Sequence, residues 1–277
     1  MRVDLHLHST VSDGAFPPEG VARRVAEVGV ELAALTDHDT TAGWEPFAQE
    51  ARSRGLVPLC GIELTCRVRA GVQGTVHVLG YGVDPGSPGL QELAARNRAG
   101  KRAQIQAILG ALEAQGVTLA WDEVTGGLGP EAYVGRNHVA AALVRRGVVR
   151  DRRKAFRRFL QNARVPEAEV VAADDALEAI HAAGGLSVLA HPTRLDLEHH
   201  LGPLSRAGLR GLEVYRPRAV GSLLERVERA AVRRGLLPSA GSDWHGHAHD
   251  PQLGQWKAPQ APLEPLLAAL GLGEGSS

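Results

Sequence analysis

An α/β fold, a (β/α)7 barrel carrying an inserted helical subdomain, is predicted by three observations. Seven short apolar runs punctuate the 277 residues, helical periodicity fills most gaps between them, and His, Asp and Glu gather where the runs end. Strands that alternate with helices form a mostly parallel sheet, and seven such units favour closure into a barrel over an open, doubly wound sheet. In barrels of this kind the reactive groups collect at the carboxyl ends of the strands.

The first strand spans residues 2–7, where Val3, Leu5 and Leu7 alternate with Asp4, His6 and His8 and so set both imidazoles on one face. Pro17 and Pro18 open a helix that carries Val21, Val25 and Val28 at i, i+4 and i+7 and stops at Gly29. Further strands follow at 32–36, 57–63 and 76–83. From 84 to 173 the alternation lapses into helical stretches at 90–115 and 139–146, broken by Gly126-Gly127 and Gly129-Pro130. That is far too long for one crossover. The segment 84–173 is therefore expected to be the inserted subdomain over the barrel mouth, with 1–83 and 174–277 forming the barrel. Asp174 and Asp175 start a helix through Ala176, Leu177 and Ile180 that Gly184-Gly185 closes, and strands at 186–190, 211–215 and 237–241 complete the set.

Composition excludes several classes. Hydrophobic residues at 44% and charged residues at 22% describe an ordinary globular protein, and no apolar run nears the roughly 20 residues of a membrane helix. The N-terminal residues read as a strand, not a secretion signal, and a cytoplasmic location is expected. Two cysteines one short strand apart, Cys60 and Cys66, suit reduced thiols better than a disulfide framework. Lys plus Arg and Asp plus Glu balance at 31 each, so no global field selects nucleic acid. The local exception is 145–164, RRGVVRDRRKAFRRFLQNAR, with Asp151 its only acid. Such a run is either a solvated helix face or a groove for phosphate-bearing ligands.

His6 and His8 make a chelating pair, Asp13 follows the same strand, and His38, Glu63, His191, Asp243 and His245 lie at or just after other strands. His77 stands near the start of its strand, so either that strand runs differently or the ring points in from mid-barrel. A mixed imidazole and carboxylate set suits Mn, Fe or Zn over Mg or Ca. Asp37 and Asp39 are expected to orient ring nitrogens. His181 is read as a packing residue, and His199, His200, His247 and His249 as loop residues.

The motifs HLHSTVSDG at 6–14, TDHDT at 36–40, GIE at 61–63, HVLGY at 77–81, LAHP at 189–192 and GSDWH at 241–245, in that order, resemble those of the PHP (polymerase and histidinol phosphatase) family. GRNHVA in the insertion and IHAAGGLSVLAHP resemble the branch that contains nucleoside 3′,5′-bisphosphate phosphatase and 5′-acting ribonucleases. The resemblance implies two or three divalent transition-metal ions: His6, His8, Glu63 and Asp243 on the first, a bridging Glu63 with His77 and His191 on the second, and Asp13, His38 and His245 on the third. It implies phosphoester hydrolysis by a metal-activated hydroxide, without a serine or cysteine nucleophile. Glu63, His191 and His245 are the expected catalytic residues, the two histidines as proton carriers where they are not committed to metal.

The expected substrate is a small phosphorylated nucleotide, with short single-stranded RNA as a second expectation and no membrane or obligate protein partner. A second phosphate asks for a guanidinium fork, for which Arg136 and Arg194 are candidates, and His138 lies where it can meet substrate. Asn137 departs from the proline that usually follows Gly-Arg in the branch. A histidinol-phosphate phosphatase and a non-catalytic metal-bound PHP module are the rival readings. The large insertion argues against the first, and the complete ligand set on a free-standing chain against the second.

Overall fold

The structure is a computed structural model that describes residues 1–69, 72, 74–129, 131–161, 165–248 and 250–272. Its strands are β1 (Val3–Leu7), β2 (Leu32–Leu35), β3 (Val57–Arg67), β4 (Thr75–Tyr81), β5 (Leu186–Leu189), β6 (Gly211–Tyr215) and β7 (Leu237–Ala240). They lie side by side in chain order within one curled sheet. A doubly wound sheet would reverse its strand order at a switch point, and this one does not. The two edges meet through a bridge between Leu7 and Trp244, with His8 N donating to Trp244 O at 3.0 Å and Trp244 N to His6 O at 3.3 Å.

The sheet is less parallel than the alternation of elements predicts. β4 pairs antiparallel with both β3 and β5, while the other four pairings are parallel. The segment between β3 and β4 is too short to hold a crossover, so the two strands form a hairpin and β4 points the other way. The amino end of β4 therefore lies with the carboxyl ends of its neighbours, which explains the place of His77 at a strand start.

The helices are α1 (Pro18–Glu27), α2 (Trp44–Ser53), α3 (Pro88–Glu113), α4 (Trp121–Thr125), α5 (Arg136–Arg145), α6 (Arg152–Ala155), α7 (Ala173–Ala182), α8 (Leu201–Arg206), α9 (Ser222–Arg234) and α10 (Glu264–Ala269). Leu7, Ala33 and Leu35 pack on Val21 and Val25 of α1 and on Phe47 and Ala51 of α2. Ile62, Val78, Leu189 and Leu212 pack on Leu177 and Ile180 of α7 and Val227 and Ala230 of α9. A third cluster joins Leu5, Ala34, Leu79, Val188 and Ala240 to Leu266 and Leu267 of α10.

The chain separates into two compact units, residues 1–94 with 171–277 and residues 95–170. The first division falls inside α3, later than residue 84 where the strand pattern stops. The second unit has its own core of Ile105, Ile108, Leu112, Val139, Leu143, Phe159 and Leu160. No helix among the described residues is long and apolar enough to cross a membrane.

Gly241, just after β7, brings the sheet edge against β1. A Cβ there would overlap the Cβ of His6 and lie 2.8 Å from His6 N and 3.0 Å from Glu213 Oε1. Overpacking of this kind costs about 1–3 kcal/mol. Gly241→Ala is thus expected to lower the unfolding free energy of the metal-free protein by that amount, read as a lower urea midpoint at unchanged slope, and an unchanged midpoint would refute the close approach.

Candidate metal centre

Strand ends supply the site because the alternation that buries Leu5 and Leu7 turns His6 and His8 the other way, and their rings stand 5.1 Å apart, centroid to centroid. Both Nε2 atoms lie 3.2 Å from Glu63 Oε2, and His38 Nδ1 lies 3.0 Å from the same oxygen. The other oxygen, Oε1, faces His77 Nδ1 at 2.9 Å and His191 Nε2 at 3.0 Å. Asp243 Oδ1 is 3.5 Å from the Nε2 atoms of His6 and His8, and Asp13 Oδ1 is 3.3 Å from His245 Nε2 and 3.8 Å from His38 Nε2. All nine residues singled out from the sequence thus come together in one unit. Glu63 divides the imidazoles between its two oxygens.

The donor atoms fall into three overlapping groups, within each of which they lie within 4.8 Å of one another: His8, Asp13, His38 and His245; His6, His8 and Asp243; His38, Glu63 and His77. His8 and His38 each belong to two groups, so they stand between the sets that the family resemblance keeps apart. His6 Nε2, both ring nitrogens of His8 and Glu63 Oε2 are buried and make no hydrogen bond. Buried polar atoms without partners cost free energy unless something else satisfies them, and lone pairs aimed at common points fit divalent cations.

Three non-glycine residues adopt positive φ among the described residues: Asp39 at 52°, His191 at 29° and Asp243 at 54°. Each follows a strand at this centre. Such backbone is strained by about 1–3 kcal/mol, and it aims the side chains of His191 and Asp243 at the cluster.

Electrostatics point the same way. Burial opposes protonation of His6, but Glu63, Glu213 and Asp243 outweigh it and raise its pKa well above the usual value. His245 is likewise pushed up to about 10, burial being overcome by Asp13 and Asp243. Burial also opposes charge on Glu63 and Asp13, yet the surrounding imidazoles hold both carboxyls well below the usual range. His77 differs: burial dominates and lowers it to about 4. The centre is built for positive charge, and without ions protons supply it.

Glu213 in β6 was not singled out from the sequence, because one acid in the apolar run GLEVY carries no motif. It is fully buried, accepting from His6 Nδ1 at 2.8 Å through Oε1 and from the His191 amide at 2.6 Å through Oε2. This carboxylate makes a hydrogen bond to a ring nitrogen of the cluster. Asp37 instead accepts from Ser9 N, Ser9 Oγ and Ser12 Oγ, tying down the loop that carries Asp13, and Asp39 accepts from the amide and hydroxyl of Thr65. His247 is part of the support as well, its ring Nε2 donating to Asp13 O at 2.9 Å, and His200 is buried and paired with Asp196 at 2.8 Å. Neither behaves as the loop residue its position suggests, and His249 lies outside the described residues. His181 Nε2 makes a hydrogen bond with Ser187 Oγ at 2.9 Å.

Three further residues are expected at substrate. Arg194 is exposed and donates to Ser222 Oγ at 3.2 Å. Arg136 and His138 begin α5 in the other unit, with His138 Nδ1 accepting from Gly135 N at 3.2 Å.

Comparison with known proteins shows that residues 4–120 match the PHP domain. The chain is 34% identical to a 3′,5′-nucleoside bisphosphate phosphatase of Chromobacterium violaceum, over 88% of this chain and 87% of that one. It is 30% identical to a 5′-3′ exoribonuclease of Haemophilus influenzae, over 88% and 90% of the two chains. Among solved structures, an amidohydrolase from Chromobacterium violaceum superposes with a TM-score of 0.88 at 32% identity, covering 98% of this chain and 96% of that one. A protein from Bifidobacterium adolescentis classed by inference as a metal-dependent phosphoesterase gives 0.85 at 28% identity, covering 96% of each.

Two outcomes follow for the centre. His6 and His245 have raised pKa values in the metal-free protein, so at pH 7 a cation must displace their protons, whereas His77 at about 4 has none to lose. Mn²⁺ binding is expected to release protons, and its apparent affinity to weaken as pH falls. Calorimetry in two buffers of different ionisation enthalpy measures this, and a proton count of zero would contradict it. Glu213→Gln keeps the shape but must turn its amide NH2 toward either His6 or the His191 amide. Metal affinity is expected to drop by about 10- to 100-fold while the far-UV CD spectrum is unchanged.

Proposed function

The chain belongs to the PHP domain family and is a metal-dependent phosphoesterase, and from that premise we propose that it releases the 3′-phosphate of nucleoside 3′,5′-bisphosphates in the cytoplasm. The observation that carries this reading is Glu63, whose two oxygens each serve a separate group of imidazoles. That arrangement suits a carboxylate bridging two ions. The similarity to the Chromobacterium violaceum bisphosphate phosphatase over nearly the whole chain supports the substrate class.

We assign His6, His8, Glu63 and Asp243 to one ion, Glu63, His77 and His191 to a second, and Asp13, His38 and His245 to a third, with Mn²⁺ as the native metal and Fe or Zn as alternatives. Divalent ions, when bound, lower the pKa of water and neutralise charge on phosphoryl oxygens. The chain's own residues do the rest. Glu63 holds both imidazole groups at one spacing, and Glu213 fixes the His6 ring and the His191 backbone. His191, raised by the Glu63 carboxylate against the effect of burial, and His245 are positioned to hold a proton for the leaving alkoxide where they are not committed to an ion. Arg136, with His138, is assigned to the phosphate that is not cleaved, and Arg194 to the same polar end of the substrate.

A second reading, removal of nucleotides from the 5′ ends of short RNA, is supported by the relative from Haemophilus influenzae and by the basic run. Arg150, Lys154, Arg157 and Arg158 line a cavity of about 360 Å³ together with Gly147, Val148 and Val149. Arg164 of the same run lies outside the described residues.

Incubation of the Mn-loaded protein with adenosine 3′,5′-bisphosphate, histidinol phosphate and a 5′-phosphorylated RNA is expected to liberate phosphate fastest from the bisphosphate, leaving the 5′-monophosphate, and chelator is expected to abolish it. Preferred hydrolysis of histidinol phosphate would overturn the assignment. Arg136→Ala should lose about 2 kcal/mol in kcat/KM on the bisphosphate, a charge-assisted contact, and little on a monophosphate. Equal loss on both would place Arg136 elsewhere. If RNA follows the basic cavity, Arg157→Glu with Arg158→Glu should weaken RNA turnover and flatten its salt dependence while sparing the bisphosphate. Unchanged salt dependence would leave the run a solvated helix face.

A further inference from the structure

Between the ends of β5, β6 and β7 lies a cavity of about 260 Å³ lined by His191, Arg216, Pro217, Arg218, Ser242 and Asp243. His191 and Asp243 are assigned above to metal, but the two arginines of the YRPRAV stretch have no role yet. Arg216 immediately follows β6 and is half-buried. Its Nη2 donates to Pro192 O at 2.8 Å, which clamps the side chain against the chain that leaves β5. Its Nε is buried and makes no hydrogen bond.

The acids near Arg216 are already engaged. Burial lowers its pKa, and Glu213, Asp243 and Asp196 are close enough to oppose that shift. Yet Glu213 serves His6 and His191, Asp243 faces His6 and His8, and Asp196 is held by Thr193 and His200. None of them forms an ion pair with Arg216. The neighbouring Arg218 adds a second positive charge at the same cavity, and like charges disfavour each other unless an anion lies between them. A half-buried guanidinium always carries its charge, and a donor left unmade beside a second arginine is the complement of a tetrahedral oxyanion. The cavity is smaller than the sites that hold whole drug-sized ligands. It has room for a phosphoryl group.

We propose that Arg216, with Arg218 at its edge, seats the phosphoryl group that is cleaved, holding the oxygens that point away from the residues assigned to metal. The proposal rests on the phosphoesterase reading and adds a catalytic residue to it. Because the seat borders His191 and Asp243, it takes the reacting group of any substrate, whereas Arg136 is assigned to a phosphate that only bisphosphates have. The product, inorganic phosphate, fits the same seat.

The test uses the Mn-loaded protein and inorganic phosphate as probe, with affinity read by calorimetry and metal content by elemental analysis. Arg216→Met keeps much of the side-chain bulk and removes the charge. Phosphate affinity is expected to fall at least tenfold with metal content unchanged, and kcat/KM to fall by a similar factor on adenosine 3′,5′-bisphosphate and on a nucleoside monophosphate. Unchanged phosphate affinity would overturn the proposal, as would a loss confined to the bisphosphate or a parallel loss of metal. Arg216→Lys is the second variant should the first fail to fold. It retains charge without the fork, and phosphate affinity equal to wild type would refute the bidentate seat. Phosphate bound through Arg216 by a protein that hydrolyses no phosphoester would leave the seat standing and sink the phosphoesterase reading instead.

Discussion

A carboxylate removed from water, with imidazole nitrogens of His6, His8, His38, His77 and His191 all within 3.2 Å of its two oxygens, sets the conditions that the rest of the molecule meets. A buried charge is tolerated only where it is paired or coordinates a cation, and removing one member of such a set costs about 3–5 kcal/mol. Glu63 lies in β3, which pairs parallel on one side and antiparallel on the other, so it is central to the sheet. Every other residue of the cluster has to reach it from a neighbouring strand end.

The direction of β4 follows from that requirement as much as from the short β3–β4 connection. A parallel fourth strand would carry His77 at the opposite end of the sheet. Reversed, it pairs Thr65 with His77 and Glu63 with Leu79, two residues along the same strand. Positive φ at His191 and Asp243 has the same logic, since the chain turns sharply where it leaves β5 and β7 and delivers the side chain to the centre rather than past it. The strain is offset by the carboxylates that hold these turns. Glu213 binds the His191 amide, and Asp4 the Ser242 amide at 2.8 Å.

Protons and divalent cations compete for one set of lone pairs, which links stability and function. In the metal-free protein the His245–Asp13 pair stabilises the fold fully below the unfolded histidine pKa of about 6.5, and the contribution is lost as pH rises through about 10. Divalent ions replace those protons with a charge that does not depart as pH rises. Further buried acids, Asp4, Asp37, Asp39 and Glu213, stand behind the cluster. Each has hydrogen-bond donors on neighbouring strands or loops. Centre and sheet are therefore one cooperative object.

The seven strand positions and the chemical types of the nine candidate ligands are legible in the chain, because strand periodicity and the affinity of imidazole and carboxylate for transition metals are local properties. Asp37 and Asp39 stand beside His38 in sequence, yet Asp37 accepts from Ser9 and Ser12 and Asp39 from the amide and hydroxyl of Thr65. What only the tertiary structure decided are the reversal of β4, the division of the histidines between the two oxygens of Glu63, the support from Glu213 and the place of Arg216. His6 meets Glu213 across 207 positions and His191 meets Glu63 across 128. Periodicity extends over a few residues, so contacts at such separations are set by the packing of the strands that carry them.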